Sequence, residues 1–80
     1  MMPDQRVKTV YDEEYDILYL IVGLPAAADA EFVADDVYLR RDSLTESIAG
    51  AVIENYSNKD ADCLSQLLPM GLGRFLPKGV

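Results

Sequence analysis

Hydrophobic residues recur along this chain with two different spacings. From Val7 to Tyr56 they fall in short alternating runs, the period of strands. From Ala61 to Leu68 they fall three and four apart, the period of a helix. Arg6 to Tyr11 reads as a first strand, with Val7, Thr9 and Tyr11 on one face. A polar interruption, Asp12-Glu13-Glu14-Tyr15-Asp16, follows. It lacks an Asn-Gly or Asp-Gly pair, so a loop of three or more residues is expected. A three-residue loop sets Tyr11 opposite Ile17 and Thr9 opposite Tyr19. Ile17 to Val22 is the clearest strand, apolar on both faces, and both faces therefore call for a cover. Gly23-Leu24-Pro25 ends it, and Ala26 to Ala30 reads as a short loop or a helical turn.

Glu31 to Asp42 is expected to form a third strand, bent or bulged at Asp35-Asp36, and Ser43 to Ser47 a turn. Ile48 to Tyr56 makes a fourth strand, with Gly50 marking a bulge or a close backbone approach. Ser57 and Asp60 resemble a capping box, and Ala61, Leu64, Leu67 and Leu68 share a helical stripe that Pro69 stops. The resulting fold class is α+β: a four-stranded, mainly antiparallel sheet with one short C-terminal helix packed on it (β-β-β-β-α). Residues 1–69 form its single domain. Residues 70–80, broken by Gly71, Gly73, Pro77 and Gly79, read as a flexible tail.

Composition narrows this picture. Eighty residues support one small core, which at this size supplies about 3–5 kcal/mol unless a disulfide, a metal or a partner chain adds to it. A homodimer is therefore expected. One cysteine, Cys63, excludes an internal disulfide and favours a reducing compartment. The absence of histidine removes the usual general base and the commonest transition-metal ligand. Net charge is −7, and the fourteen acids all precede Pro69 alongside five bases, which gives that part −9. Such a surface repels nucleic acid and attracts a basic protein partner. The longest apolar run, Ile17 to Ala28, is twelve residues and too short to cross a membrane, which takes about 20. Acidic residues precede it where a signal peptide carries basic ones, so a cytoplasmic protein with no membrane partner is expected.

Each candidate for chemistry has a simpler structural reading. Asp12, Glu13, Glu14 and Asp16 would bind a divalent ion if wrapped around it, but their spacing fits a solvated hairpin tip. Asp35, Asp36 and Asp42 would complete a carboxylate cluster for metal-dependent hydrolysis; turn and bulge roles explain them as well. Arg40 and Arg41 alternate across their strand, so one faces Glu31 or Glu54 and the other solvent. Cys63 has two acidic neighbours, Asp60 and Asp62, and reads as a small core residue. Gly71-Leu72-Gly73 lacks the helix and acidic residue of a nucleotide loop. No catalytic residue, cofactor or metal is therefore expected. Tyr11, Tyr15 and Tyr19 crowd the first hairpin, as strand propensity and interface enrichment both favour.

Four stretches resemble the small bacterial proteins of domain of unknown function 2283. They are Tyr11-Asp12-Glu13-Glu14-Tyr15-Asp16-Ile17-Leu18-Tyr19-Leu20, Glu31-Phe32-Val33, Val37-Tyr38-Leu39-Arg40-Arg41-Asp42, and Ile48-Ala49-Gly50-Ala51-Val52-Ile53-Glu54-Asn55-Tyr56-Ser57. The resemblance spans about residues 7–57. The family often has glycine where this chain has Asp36 and Glu46, so a different geometry is expected at the second of these turns. What the resemblance implies is a short bacterial protein without established activity, in some cases beside toxin-like proteins. An antitoxin-like or adaptor role follows from it.

The expectation is thus a small acidic interaction module that binds a basic protein. The alternative is a self-assembling, dimeric protein of structural or small-ligand-binding role, and a metal-dependent hydrolase comes last. The expected interface is Tyr11, Ile17, Tyr19 and Ile21 from the sheet with Leu72, Phe75 and Leu76 from the tail.

Overall fold

The computed structural model describes residues 7–23, 27–69 and 71–76. Five strands form one antiparallel sheet: β1 (Val7–Asp12), β2 (Ile17–Val22), β3 (Ala28–Ala34), β4 (Val37–Asp42) and β5 (Ile48–Glu54). Their order across the sheet is β1-β2-β5-β4-β3. A short helix, α1 (Ala61–Leu67), follows between two single 3-10 turns, Tyr56–Asn58 and Leu72–Phe75.

The four-strand expectation fails at Asp35-Asp36. The segment expected as one bent strand is a hairpin, with Ala34 opposite Val37 and an irregularity in β3 between Phe32 and Ala34. Asp36 is left-handed (φ 66°), a conformation aspartate tolerates, and this reverses the chain within two residues. Ala28 to Ala30, expected as loop, thereby gain a partner strand and extend β3.

The first hairpin departs by one residue from its expected register. Asp12 pairs with Ile17, so Tyr11 faces Leu18 and Thr9 faces Leu20. A four-residue loop is stable here because the Asp12 carboxylate accepts from the amides of Glu14 (3.0 Å) and Tyr15 (3.3 Å). Asp16 then closes the loop at φ 57°. Since side chains alternate, this slip moves Tyr11 to the face opposite Ile17 and Tyr19.

That face is the core. Leu18, Leu20, Val37, Leu39, Ala51 and Ile53 are buried on it, and Tyr56, Leu64, Leu68, Leu72 and Leu76 cover them. Helix α1 is capped by Asp60, whose carboxylate accepts from the Asp62 amide (3.2 Å). Ser57 is not the cap, because its amide (3.0 Å) and hydroxyl (2.7 Å) both donate to Asp16. Of the expected stripe, Leu64 and Leu68 are buried, while Ala61 is exposed and Leu67 is 39% exposed.

The chain continues past Pro69 back over the sheet. Gly71 turns it in the left-handed region (φ 66°). Gly73 lets it press on α1: a Cβ there would lie 2.7 Å from the Ser65 Cα. The Thr9 hydroxyl donates to the Phe75 carbonyl (3.2 Å), fixing the segment to β1. Leu72 and Leu76, assigned by the sequence pattern to a flexible tail, are core residues. Met70 and residues 77–80 of that tail lie outside the described residues.

Candidate functional site

Two surfaces gather the residues that the sequence pattern brings forward: a polar cluster at one end of the sheet, and the sheet face turned away from α1. The cluster forms where the chain leaves the central strand, β5. Asn55 takes a left-handed conformation (φ 55°) and starts the 3-10 turn. On one side the Asp16 carbonyl accepts from the Tyr56 amide (3.0 Å), and on the other the Asp36 carbonyl accepts from the Glu54 amide (2.7 Å). The tips of both hairpins thus grip the exit of β5.

Their side chains complete the grip. The Asp16 carboxylate accepts from the Tyr11 hydroxyl (2.6 Å), the Ser57 amide and the Ser57 hydroxyl. These bonds favour its charged form, so its pKa lies below the usual aspartate value, with the Ser57 bond the largest cause. The same contact pushes the Tyr11 phenol up to about 12, chiefly through its bond to Asp16. The Tyr11 ring also meets Tyr56 edge-on, 5.9 Å between centroids. Asp36 pairs with Lys59 (2.8 Å), and that bond is the main reason its pKa is lowered.

This geometry has a structural use for each carboxylate of the acidic motifs that it engages. Asp12 caps its own turn, and Asp42 does the same at the other end of the sheet through the amides of Leu44 (2.8 Å) and Thr45 (3.1 Å). Asp42 therefore lies apart from Asp16 and Asp36, and the convergence of Asp35, Asp36 and Asp42 with the first turn that a metal-dependent hydrolase would require is not formed. Among the described residues there is no group of three or more metal-ligating side chains. Arg41 pairs with Glu31 and donates to the Glu46 carbonyl (3.0 Å), while Arg40 points to the other face. Cys63 is exposed on α1 rather than in the core, because the helix turns Leu64 inward in its place. Its thiol pKa is raised, first by the bond to Asp60.

The second surface is the sheet face opposite the core. Cross-strand partners share a face, so the register defines its rows. The middle row runs Val10, Tyr19, Val52, Tyr38, Phe32 across all five strands. One flanking row is Lys8, Ile21, Gly50, Arg40 and Ala30; the other is Asp12, Ile17 and Glu54. Phe32 is 63% exposed and packs edge-on against Tyr38, with 5.9 Å between centroids. The buried residues of α1 and of both 3-10 turns belong to the core on the other side. Among the described residues this face consequently has no second layer.

The expected interface is divided by these placements. Ile17, Tyr19 and Ile21 lie together on the open face. Tyr11 lies on the core side at its rim, Leu72 and Leu76 are buried, and Phe75 is half-buried with the Arg74 guanidinium over its ring. Val10, Phe32, Tyr38 and Val52 complete the open face and are absent from the expected interface. A regular two-residue turn at Asp35-Asp36 would set Phe32 opposite Leu39; the irregularity between Phe32 and Ala34 brings it opposite Tyr38, and no sequence signal marks that shift. Family models, curated proteins and solved structures all lack a match to this chain. No described helix is long and apolar enough to cross a membrane.

Proposed function

We propose that this protein is a small interaction module that works through the open face of its sheet, without catalysis. The observation that carries the reading is the five-residue row Val10-Tyr19-Val52-Tyr38-Phe32, aromatic or β-branched at every position. A sheet layer is ordinarily covered on its apolar side, and aromatic residues are enriched where proteins meet. The adaptor-like role implied by the resemblance to domain of unknown function 2283 belongs to the same reading. So does a basic protein partner: the five charges of the open face, Lys8, Arg40, Asp12, Asp42 and Glu54, sum to −1, and the excess of acid elsewhere on the chain steers encounter.

The test is affinity capture from the host with wild-type and Phe32→Asp baits. The exposed site of Phe32 lets the variant fold, which circular dichroism checks. A stoichiometric partner held by the wild type and lost by the variant is expected, with association slowed by salt. Identical capture by both baits would refute the reading.

A further inference from the structure

We propose that the open face is self-complementary and takes a second copy of this chain. The two copies are related by a two-fold axis lying across the strands, along the row Val10-Tyr19-Val52-Tyr38-Phe32. This inference rests on the interaction reading above and names the occupant of the surface.

The argument begins with charge. A chain of net charge −7 repels its own copies, and an interface between them must avoid the acidic surface. The open face does so. It carries Lys8 and Arg40 on one flanking row, and Asp12 and Glu54 on the other. With Asp42, beyond Arg40 at the end of β4, the face holds only −1 of the chain's −7, and its two bases stand at the other end of the strands from Asp12 and Glu54.

The opposition of Lys8 and Arg40 to Asp12 and Glu54 determines the geometry. A two-fold axis along the middle row keeps every strand over its counterpart and exchanges the flanking rows. Lys8 then lies over the partner's Asp12, and Ile21 over the partner's Ile17. Arg40 lies one strand from the partner's Glu54, about 4.8 Å sideways and within reach of two long side chains. Gly50 stands opposite the partner's Glu54 and, having no side chain, leaves that space free. Facing sheets pack with their strands within about 30° of alignment, which this arrangement satisfies. An axis along the central strand β5 would instead keep like rows together, setting Glu54 over its own copy and Lys8 one strand from the partner's Arg40, and charge repulsion disfavours it.

The size of the face sets the strength. Five strands of about six residues give a face about 24 by 20 Å, on the order of 500 Å² in projection per copy. Both copies together lie near the roughly 1,000 Å² that separates stable from transient contacts. A reversible dimer with a dissociation constant in the micromolar range is the consequence.

Sedimentation velocity on the full chain, from about 1 to 200 µM at low salt, tests this range of weak association. The expected result is a shift from 8.9 kDa toward twice that mass. Phe32→Asp, Arg40→Glu and Glu54→Arg should each weaken dimerisation by about tenfold or more while leaving the fold intact by circular dichroism. Combining Arg40→Glu with Glu54→Arg restores the pair across the interface and should recover most of the affinity. Within one chain these two residues lie on different flanking rows, so recovery reports a contact between copies. A wild type that stays monomeric to 200 µM overturns the inference, as does a dimer indifferent to Phe32→Asp or a double variant no better than the singles. If the monomeric wild type still captures a host protein that Phe32→Asp loses, only the choice of occupant has failed. If both baits capture alike, the interaction reading fails as well.

Discussion

Replacing Leu72 with alanine separates a core residue from a surface arm. Leu72 is 2% exposed, and it joins Leu64, Leu68 and Leu76 in covering the buried face of the sheet. Removing a buried leucine side chain forfeits its transfer free energy and leaves a cavity, together about 2–5 kcal/mol. An 80-residue domain holds about 4–12 kcal/mol in total, so Leu72→Ala takes a large share of its stability. With a urea m-value of about 1 kcal/mol/M for so small a chain, the midpoint should fall by about 2 M or more. The same substitution at two other leucines calibrates the effect. Leu67 is 39% exposed and should cost less, while Leu44 is 94% exposed and should change stability by no more than about 0.5 kcal/mol. The assay is urea denaturation followed by far-ultraviolet circular dichroism at low micromolar concentration, where dimerisation contributes little. Equal midpoints for Leu72→Ala, Leu44→Ala and wild type would show that residues 71–76 do not close the core, and the burial of Leu72 would be refuted.

Four further outcomes follow from local geometry. Glu46 holds a left-handed conformation (φ 63°) while its amide donates to Asp42 and its carbonyl accepts from Arg41, so Glu46→Gly keeps both bonds. Relief of backbone strain, less the added freedom of the unfolded chain, should stabilise by about 0.5–1 kcal/mol in a thermal melt. Gly50→Ala should instead destabilise by about 3 kcal/mol, because the new Cβ meets the Leu20 carbonyl oxygen and the φ of 153° is costly for any other residue. Asp16, Asp36 and Asp42 have lowered pKa values, so their stabilisation is full above the ordinary value of 3.8 and fades as pH falls below it; Asp16→Asn should flatten this acid limb of a stability–pH profile. Tyr11 has its pKa raised from 10 to about 12, so its contribution is complete below pH 10 and is lost as pH climbs toward 12. Tyr11→Phe should remove that alkaline component and raise the Asp16 pKa, read by carboxyl chemical shifts in a pH titration.

Much of this fold was legible from residue order. The alternation in Ile17 to Val22, the helical stripe through Leu64 and Leu68, and the stop at Pro69 lie in the structure where the pattern puts them, while the strand expected from Ile48 to Tyr56 ends at Glu54, before the left-handed Asn55. Alternation and helical period are local properties, enforced by each residue's own backbone, and a linear reading recovers them. The turns were harder. Asp35-Asp36 looks the same in a bulged strand and in a two-residue reversal, because aspartate serves both. The difference is decided by Glu54, whose amide reaches the Asp36 carbonyl from another strand, and by Lys59, whose ammonium reaches its carboxylate.

The sequence by itself therefore determined the central strands, the helical stripe and its stop, and which residues are apolar, but not the division of Ala28 to Asp42 into two strands. Only the tertiary structure decided which side of the sheet each apolar set serves. The one-residue shift at the first hairpin sent Tyr11 to the core side and left Ile17 and Tyr19 on the open one. The glycines of the tail carry the same lesson: Gly71 and Gly73 break regular structure in any setting, but in this fold they let the chain turn back and lie close against Ser65, with Leu72 and Leu76 in the core. Backbone conformation follows from neighbours in sequence. Which face is covered depends on contacts between residues far apart in the chain, such as Thr9 with Phe75, and on register, which one turn resets for a whole strand.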